Sequence, residues 1–510
     1  MYGGDPTHAN YDASNVITTS NAPSLTEAGT TAAATGSSSW ITSSPTIGSN
    51  DMLYATANYV APKTCDGIID PNDFPGNDGY PNDVQDSAAP NECQTTIGEL
   101  YAYSATGGTS NCPTPSLGNP TLNCQPVWTA VPSTTHGVTT SPAVDTSLST
   151  PVVYVATHAG ELYAYNASNG TLLWHSPTLG GSIEASLTIA NGFIYVPEDY
   201  GWVYVFPSTT GTNGNDQNCW TQKGARECGP DWGYSTGGNN FSTPAVANGM
   251  MYQAAGDHVG GNKNDPAQYA VYAFNASYEA SQCPGTYAPH EFGKPLSDIA
   301  TCTPAWSAPW QYGGEWNGGG SSPAVADGDV YIESASNGLL AFSANGSSNC
   351  TGTQYVGQWG AICTPLWIGA TGREYSGAAD IGPTPAVANG NVYIGSRAGN
   401  VYAFNATTGT LVWSSALGGA IDSSVVIAGD SGSDDVAFVG CSTGLSGQTC
   451  TDGLFALNAA SGGTPLWAAS TGGSVDNSPI VVDNGNGSAT GAAYVAAGNQ
   501  VFSYALPTSS

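Results

Sequence analysis

Eight times along the chain a small polar residue, in most copies followed by proline, opens a β-rich run. Each run turns tightly into a second one ending in Tyr, Phe or Val. The copies begin at Ser44-Pro45, Ser141-Pro142, Ser186-Leu187, Thr243-Pro244, Ser322-Pro323, Thr384-Pro385, Ser424-Val425 and Ser478-Pro479. Self-similarity at a spacing of roughly 40 residues or more, in a strand-rich chain, marks a propeller or array. Such units bury their apolar faces only against their neighbours, so the 510 residues are expected to form one ring rather than several domains.

The fullest copy runs from Thr384 to Trp413. Two alternating apolar runs joined by Asn389-Gly390 read as a hairpin, and the Ala398-Gly399 and Thr408-Gly409 turns add a third and a fourth strand. Trp128, Trp174, Trp220, Trp306, Trp367, Trp413 and Trp467 then give seven blades an indole on the fourth strand, where it packs on a neighbour. The eighth copy ends with its third strand, near Gln500 to Tyr504. The fold class is therefore all-β: an eight-bladed β-propeller of four-stranded antiparallel blades, with the ring closed by the N-terminal segment, which leaves no open edge. The expected boundaries are 1–42 for the segment closing blade 8, 43–128 for blade 1 with an insertion over 61–98, 129–174, 175–220, 221–306, 307–367, 368–413 and 414–467 for blades 2 to 7, and 468–510 for blade 8.

Only 9% of residues are charged, 38 of them acidic against 7 Lys and Arg, for a net charge of −31. At about pH 2–3 most carboxylates, with a reference pKa near 4, are neutral, and the net charge falls towards zero. An acidic habitat is the expectation. The negative charge and the lack of a basic stripe with interleaved aromatics exclude nucleic acid as a partner. No apolar run reaches about 18 residues, so no membrane span is expected. The opening residues read as those of a mature chain without a leader.

Twelve cysteines fall into six consecutive pairs: Cys65/Cys93, Cys112/Cys124, Cys219/Cys228, Cys283/Cys302, Cys350/Cys363 and Cys441/Cys450. No pair is spaced as CxxC and no His clusters beside one, so six disulfides, each inside one blade, are expected rather than metal sites. Disulfides imply a periplasmic or extracellular location.

If the first strand of each blade lines the channel, the residues three before the repeated Pro share one rim. They include Glu184, Asp422 and Asp476, with Asp380 two residues outside the register. Turns between second and third strands add His158, Glu198, Asp199, His258, Lys263 and Arg397 to that face, and loops entering first strands add His136, Asn240 and Arg373. A carboxylate enclosed by the rim can serve as general acid or base, and Arg forks suit sulfonate, phosphate or carboxylate groups. Asp380 is the first candidate for catalysis, with Glu184, Asp422 and Asp476 behind it. Arg373, Arg397, His136, His158 and Lys263 are candidates for holding a small anionic substrate.

The phrases from Ala164 to Trp174 and from Ala403 to Trp413 resemble the tryptophan-docking motif of the pyrroloquinoline-quinone-type eight-bladed propellers, which include alcohol dehydrogenases and an outer-membrane assembly lipoprotein. The opening Met1 to Tyr11 is similar to the start of those enzymes. For a dehydrogenase the resemblance implies pyrroloquinoline quinone with calcium, held by Glu, Asn and Asp; Glu184, Asn240 and Asp380 are the nearest matches. It also implies a disulfide between adjacent cysteines, which this sequence lacks, and there is no CxxCH for haem. Within the same family, the cofactor-free tetrathionate hydrolases of acidophilic sulfur oxidisers are similar in their acid-tolerant composition. The leading expectation is thus a hydrolase of a sulfur oxyanion with no cofactor, a carboxylate assisting attack of water. The alternatives are a quinone-dependent dehydrogenase and a non-enzymatic scaffold that binds a protein or surface polymer, and homo-oligomerisation stays open.

Overall fold

The structure, a computed structural model, describes residues 11–12, 17–32, 39–41, 43–48, 52–64, 92–105, 123–133, 135–210, 218–222, 224–236, 239–256, 268–276, 285–287, 299–302, 304–312, 320–334, 338–351, 361–372, 382–429, 433–442, 453–483 and 491–506. Eight sheets, each built on four antiparallel strands, stand around one axis, as the repeats predict. In blade 6 the strands are Ala386–Ala388, Asn391–Gly395, Asn400–Asn405 and Leu411–Ala416, paired in that order. The first turns reverse direction in two residues because Asn and Gly accept positive φ: Asn389 has φ 51° and Gly390 φ 72°, the type I′ geometry that matches strand twist.

The repeated small polar residue has a structural purpose. At seven of the eight positions the backbone N–H donates to the hydroxyl of its counterpart in the next blade: Ser44 to Ser141 (3.1 Å), Ser141 to Ser186 (3.1 Å), Ser186 to Thr243 (3.1 Å) and Thr243 to Ser322 (2.9 Å). Thr384 donates to Ser424 (2.9 Å), Ser424 to Ser478 (3.1 Å), and Ser478 back to Ser44 (3.0 Å), which joins the two ends of the ring. These groups are buried at the inner strands, where an unpaired N–H would be costly.

Farther out, neighbouring blades lock through aromatic side chains. In blade 5, Tyr331 of the second strand and Trp367 of the fourth both donate to the Ala406 carbonyl of blade 6, at 3.5 and 2.8 Å. Blade 4 repeats this with Tyr252 and Trp306 on Ala344, and blade 1 with Tyr54 and Trp128 on Ala167. The indole lies on a turn glycine; a Cβ on Gly409 would sit 2.6 Å from Trp367. The cores are accordingly shared between blades: Trp306 packs with Tyr252 of its own blade and Leu340 and Phe342 of the next.

Blade 8 takes its fourth strand from the N-terminus, Thr26–Ala32 pairing antiparallel with Gln500–Ala505. Upstream, Tyr11–Asp12 runs parallel to the innermost strand of blade 7, Val426–Ala428. Trp467 of blade 7 donates to the Leu25 carbonyl at 2.9 Å, so the N-terminal segment also receives an indole.

Two expectations need correction. Trp232, not Trp220, opens the fourth strand of blade 3, Trp232–Ser235; Trp220 is 42% exposed on an inserted hairpin. Disulfides Cys219–Cys228 and Cys350–Cys363 are present, and Cys124, Cys302 and Cys441 are disulfide-bonded too, but the cross-linked insertions are not confined to their own blades. Strands Cys219–Gln222 and Ala225–Cys228, inserted in blade 3, extend the sheet of blade 2. The pairing of Cys65 with Cys93 and the positions of Cys112, Cys283 and Cys450 lie outside the described residues.

Candidate functional site

One face of the ring collects the loops entering first strands and the turns between second and third strands. Four of the entering loops are anchored by a fully buried aliphatic residue: Val138, Ile183, Ile421 and Val475. Ile421 and Val475 fill the space left by Gly395 and Gly440, where an added Cβ would come within 2.2 and 2.3 Å of them. The next residue, Thr139, Glu184, Asp422 or Asp476, is thereby presented at the rim.

The rim carboxylates meet the turns on either side. Glu184 of blade 3 lies 3.5 Å from His158 Nδ1 of blade 2 and beside Asp199 of its own blade. Asp422 of blade 7 accepts from Arg397 Nε of blade 6 at 2.6 Å and from Ser442 Oγ of its own blade at 2.8 Å. The two clusters occupy the same repeat positions four blades apart. Asp476 adjoins the second cluster; although its edge is open to solvent, enclosure on the protein side and then the Asp422 charge raise its pKa.

Glu198 and Asp199 close the second strand of blade 3, Phe193–Glu198, and are the most perturbed acids of this face. Glu198 is 1% exposed; burial pushes its pKa up to about 8. Tyr200 N–H donates to its Oε1 at 2.9 Å, and Gly181 leaves room for that oxygen, since a Cβ there would stand 1.9 Å away. Burial, and then the charge of Glu184, raise Asp199, whose Oδ2 accepts from Ser182 Oγ. The other oxygens, Glu198 Oε2 and Asp199 Oδ1, are buried with no partner at hydrogen-bond distance, although the Trp202 backbone N–H stands close enough to the Glu198 carboxylate to offset part of the rise in its pKa. Two such oxygens suit a hard cation. Among the described residues no three His, Cys, Asp or Glu side chains converge as a metal-ligand set.

Of the residues expected at the site, Glu184, His158, Arg397, Asp422 and Asp476 are thus brought to one face in two groups. His136 is exposed, its Nδ1 2.9 Å from Thr135 Oγ1, with no part in either group among the described contacts. Asn240 is buried and engaged, donating to the Trp202 carbonyl at 3.0 Å and accepting from Thr236 Oγ1 at 2.9 Å. Asp380, Arg373, Lys263 and His258 lie outside the described residues. Sequence reasoning placed Glu198 and Asp199 on this face without singling them out; two consecutive acids ending an apolar run was the available signal.

A family model described as outer membrane protein assembly factor BamB matches residues 122–237 and 358–432. No curated protein matches the chain. Among solved structures, the quinohemoprotein alcohol dehydrogenase ADHIIG of Pseudomonas putida HK5 is similar with a TM-score of 0.60 at 12% identity, over 99% of this chain and 79% of that one. The fold is the one those dehydrogenases use. A europium-containing methanol dehydrogenase is similar at TM-score 0.56 and 13% identity, over 98% of this chain and 89% of that one. The quinohemoprotein alcohol dehydrogenase of Comamonas testosteroni follows at 0.53 and 14%, over 100% and 80%. The expectation of a ring that works without a cofactor is corrected by these likenesses, which run to quinohemoprotein and europium-containing enzymes.

Proposed function

We propose that this face is the active site of a quinone-dependent dehydrogenase in which Glu198 and Asp199 hold a hard cation. The observation that carries the reading is the pair of buried carboxylate oxygens, Glu198 Oε2 and Asp199 Oδ1, that have no partner at hydrogen-bond distance. The full-length likeness to quinohemoprotein and europium-containing dehydrogenases supports it. A bound quinone would supply a two-electron acceptor for an alcohol, and the cation a Lewis acid.

The chain's own groups prepare that chemistry. Tyr200 N–H and Ser182 Oγ hold one oxygen of each carboxylate, which would leave the other for the cation. Without a cation Glu198, raised to about 8, holds a proton at pH 7, so cation uptake releases protons and tightens as pH rises. Glu184, within 3.5 Å of His158 and next to Asp199, would take the substrate's hydroxyl proton and share it with the imidazole. The family's adjacent-cysteine disulfide plays no part, because this chain has no adjacent cysteines. Disulfides and scarce charge fit an exported protein of an acidic, oxidising compartment.

The test is calorimetry of calcium or lanthanum binding, followed by quinone titration and dye-linked alcohol oxidation. Glu198→Gln is expected to lose cation binding at least tenfold while keeping the native circular dichroism. Failure to bind either cation with quinone present overturns the proposal. Turnover of tetrathionate without cation or quinone would replace it by the sulfur-oxyanion hydrolase, and inertness in every assay leaves the scaffold.

A further inference from the structure

The five-residue pattern Cys-x-Pro-x-Trp occurs four times: Cys124 to Trp128, Cys228 to Trp232, Cys302 to Trp306 and Cys363 to Trp367. In each, the cysteine ends a short strand that runs parallel to the outermost strand of the preceding blade. Thr31 of blade 8 lies opposite Cys124, and Tyr234 of blade 3 opposite Cys302. His175 of blade 2 faces Glu227, next to Cys228; Ser307 of blade 4 faces Ile362, next to Cys363. All four cysteines are buried, and they pack in cores of the preceding blade, Cys228 with Trp174 and Cys363 with Trp306. The residue after the proline then returns to its own blade: Val127, Asp231, Ala305 and Leu366 donate their N–H groups to Ala102, Val205, Ala273 and Ala341 of the third strand, at 2.7, 2.9, 2.7 and 2.7 Å. Finally the tryptophan turns to the following blade, where Trp128, Trp306 and Trp367 donate to Ala167, Ala344 and Ala406.

We propose that Cys-x-Pro-x-Trp is an inter-blade clasp, in which a disulfide-closed hairpin is held against the outer edge of the preceding blade and keeps that edge from pairing with other chains. A sheet edge is a row of unpaired N–H and C=O groups that invites strand addition. The clasps cover it on blades 8, 2, 3 and 4. The disulfide matters because the docked strands are short: the blade 2 ladder holds the single pair His175 and Glu227, too little to keep a hairpin in place without its cross-link to Cys219. Proline between cysteine and tryptophan stops the strand from continuing along the wrong blade.

Full-length C219S/C228S and C350S/C363S variants test this by hydrogen exchange and by light scattering on a sizing column. In the first variant, amides of 219–228 and of the blade 2 edge, 172–175, are expected to exchange at least about tenfold faster, while 143–166 of the same blade keeps its rate. Concentration-dependent self-association should accompany this. Unchanged exchange at 172–175, or faster exchange spread evenly over all blades, overturns the clasp, the latter because it would mean that the disulfides act only on the unfolded chain. If a variant does not fold, the folded wild type is treated with a dithiol. The dithiol closes to a cyclic disulfide as Cys219–Cys228 takes two electrons and two protons to give two thiols, and the same segments are read by pulse labelling.

Discussion

Glu198 ties the stability of this protein to pH in a direction opposite to that of most carboxylates. Its pKa stands at about 8 against an ordinary 4.5 because burial disfavours the charge. Between those values the folded state holds a proton that the unfolded state has lost. Stability is full below about pH 4.5 and declines as pH rises towards 8, by up to about 1.4 kcal/mol per pH unit for one such group. Asp199 and Asp476, raised as well, act in the same direction. Urea midpoints measured from pH 4 to 8 should therefore fall steadily, and Glu198→Gln should flatten the fall; a maximum near pH 7 would refute this. The low charge density of the chain leads to an expectation of acid tolerance, but not to these residues. That Glu198 is enclosed by Gly181, Tyr200 and the strand it ends is a tertiary fact, since Glu184, Asp422 and Glu198 look alike in a list of acids.

At the scale of the strand and its turn, the dock of a tryptophan on a glycine is what joins blades. Gly409 is required twice over: its φ is 68°, and Trp367 occupies the place of any side chain. Gly409→Ala should destabilise by about 2–4 kcal/mol, a left-handed alanine adding to overpacking of the indole. Gly390→Ala, equally left-handed at φ 72° but with open space around it, should cost only the conformational part, about 1 kcal/mol. Equal losses in thermal unfolding would show that the dock contributes nothing. Strands, Asn-Gly turns and six of seven docking tryptophans were legible because each is a local pattern repeated in register. Trp220 misled because an insertion carries its own indole ahead of Trp232, and spacing alone does not say which of two tryptophans joins the blade. The destination of the cysteine hairpins was hidden for a related reason: nearest-neighbour pairing is a statement about one hairpin, while its docking on the preceding blade is made between units.

For the whole molecule, closure converts a set of repeats into one cooperative object. An open array of nearest-neighbour units can fray from its ends. Here the ends are joined twice, by the Ser478 to Ser44 hydrogen bond on the inside and by Thr26–Ala32 on Gln500–Ala505 on the outside. No blade is then terminal, so weakening any link should weaken all. Ser141→Ala in blade 2 orphans the buried N–H of Ser44, and Ser424→Ala in blade 7 orphans that of Thr384, each at about 1–3 kcal/mol. Both variants should shift one and the same unfolding transition, with tryptophan fluorescence and far-ultraviolet circular dichroism moving together. Separate transitions, with blade 7 melting apart from blade 2, would mean that the ring is held blade by blade and that its closure adds no cooperativity.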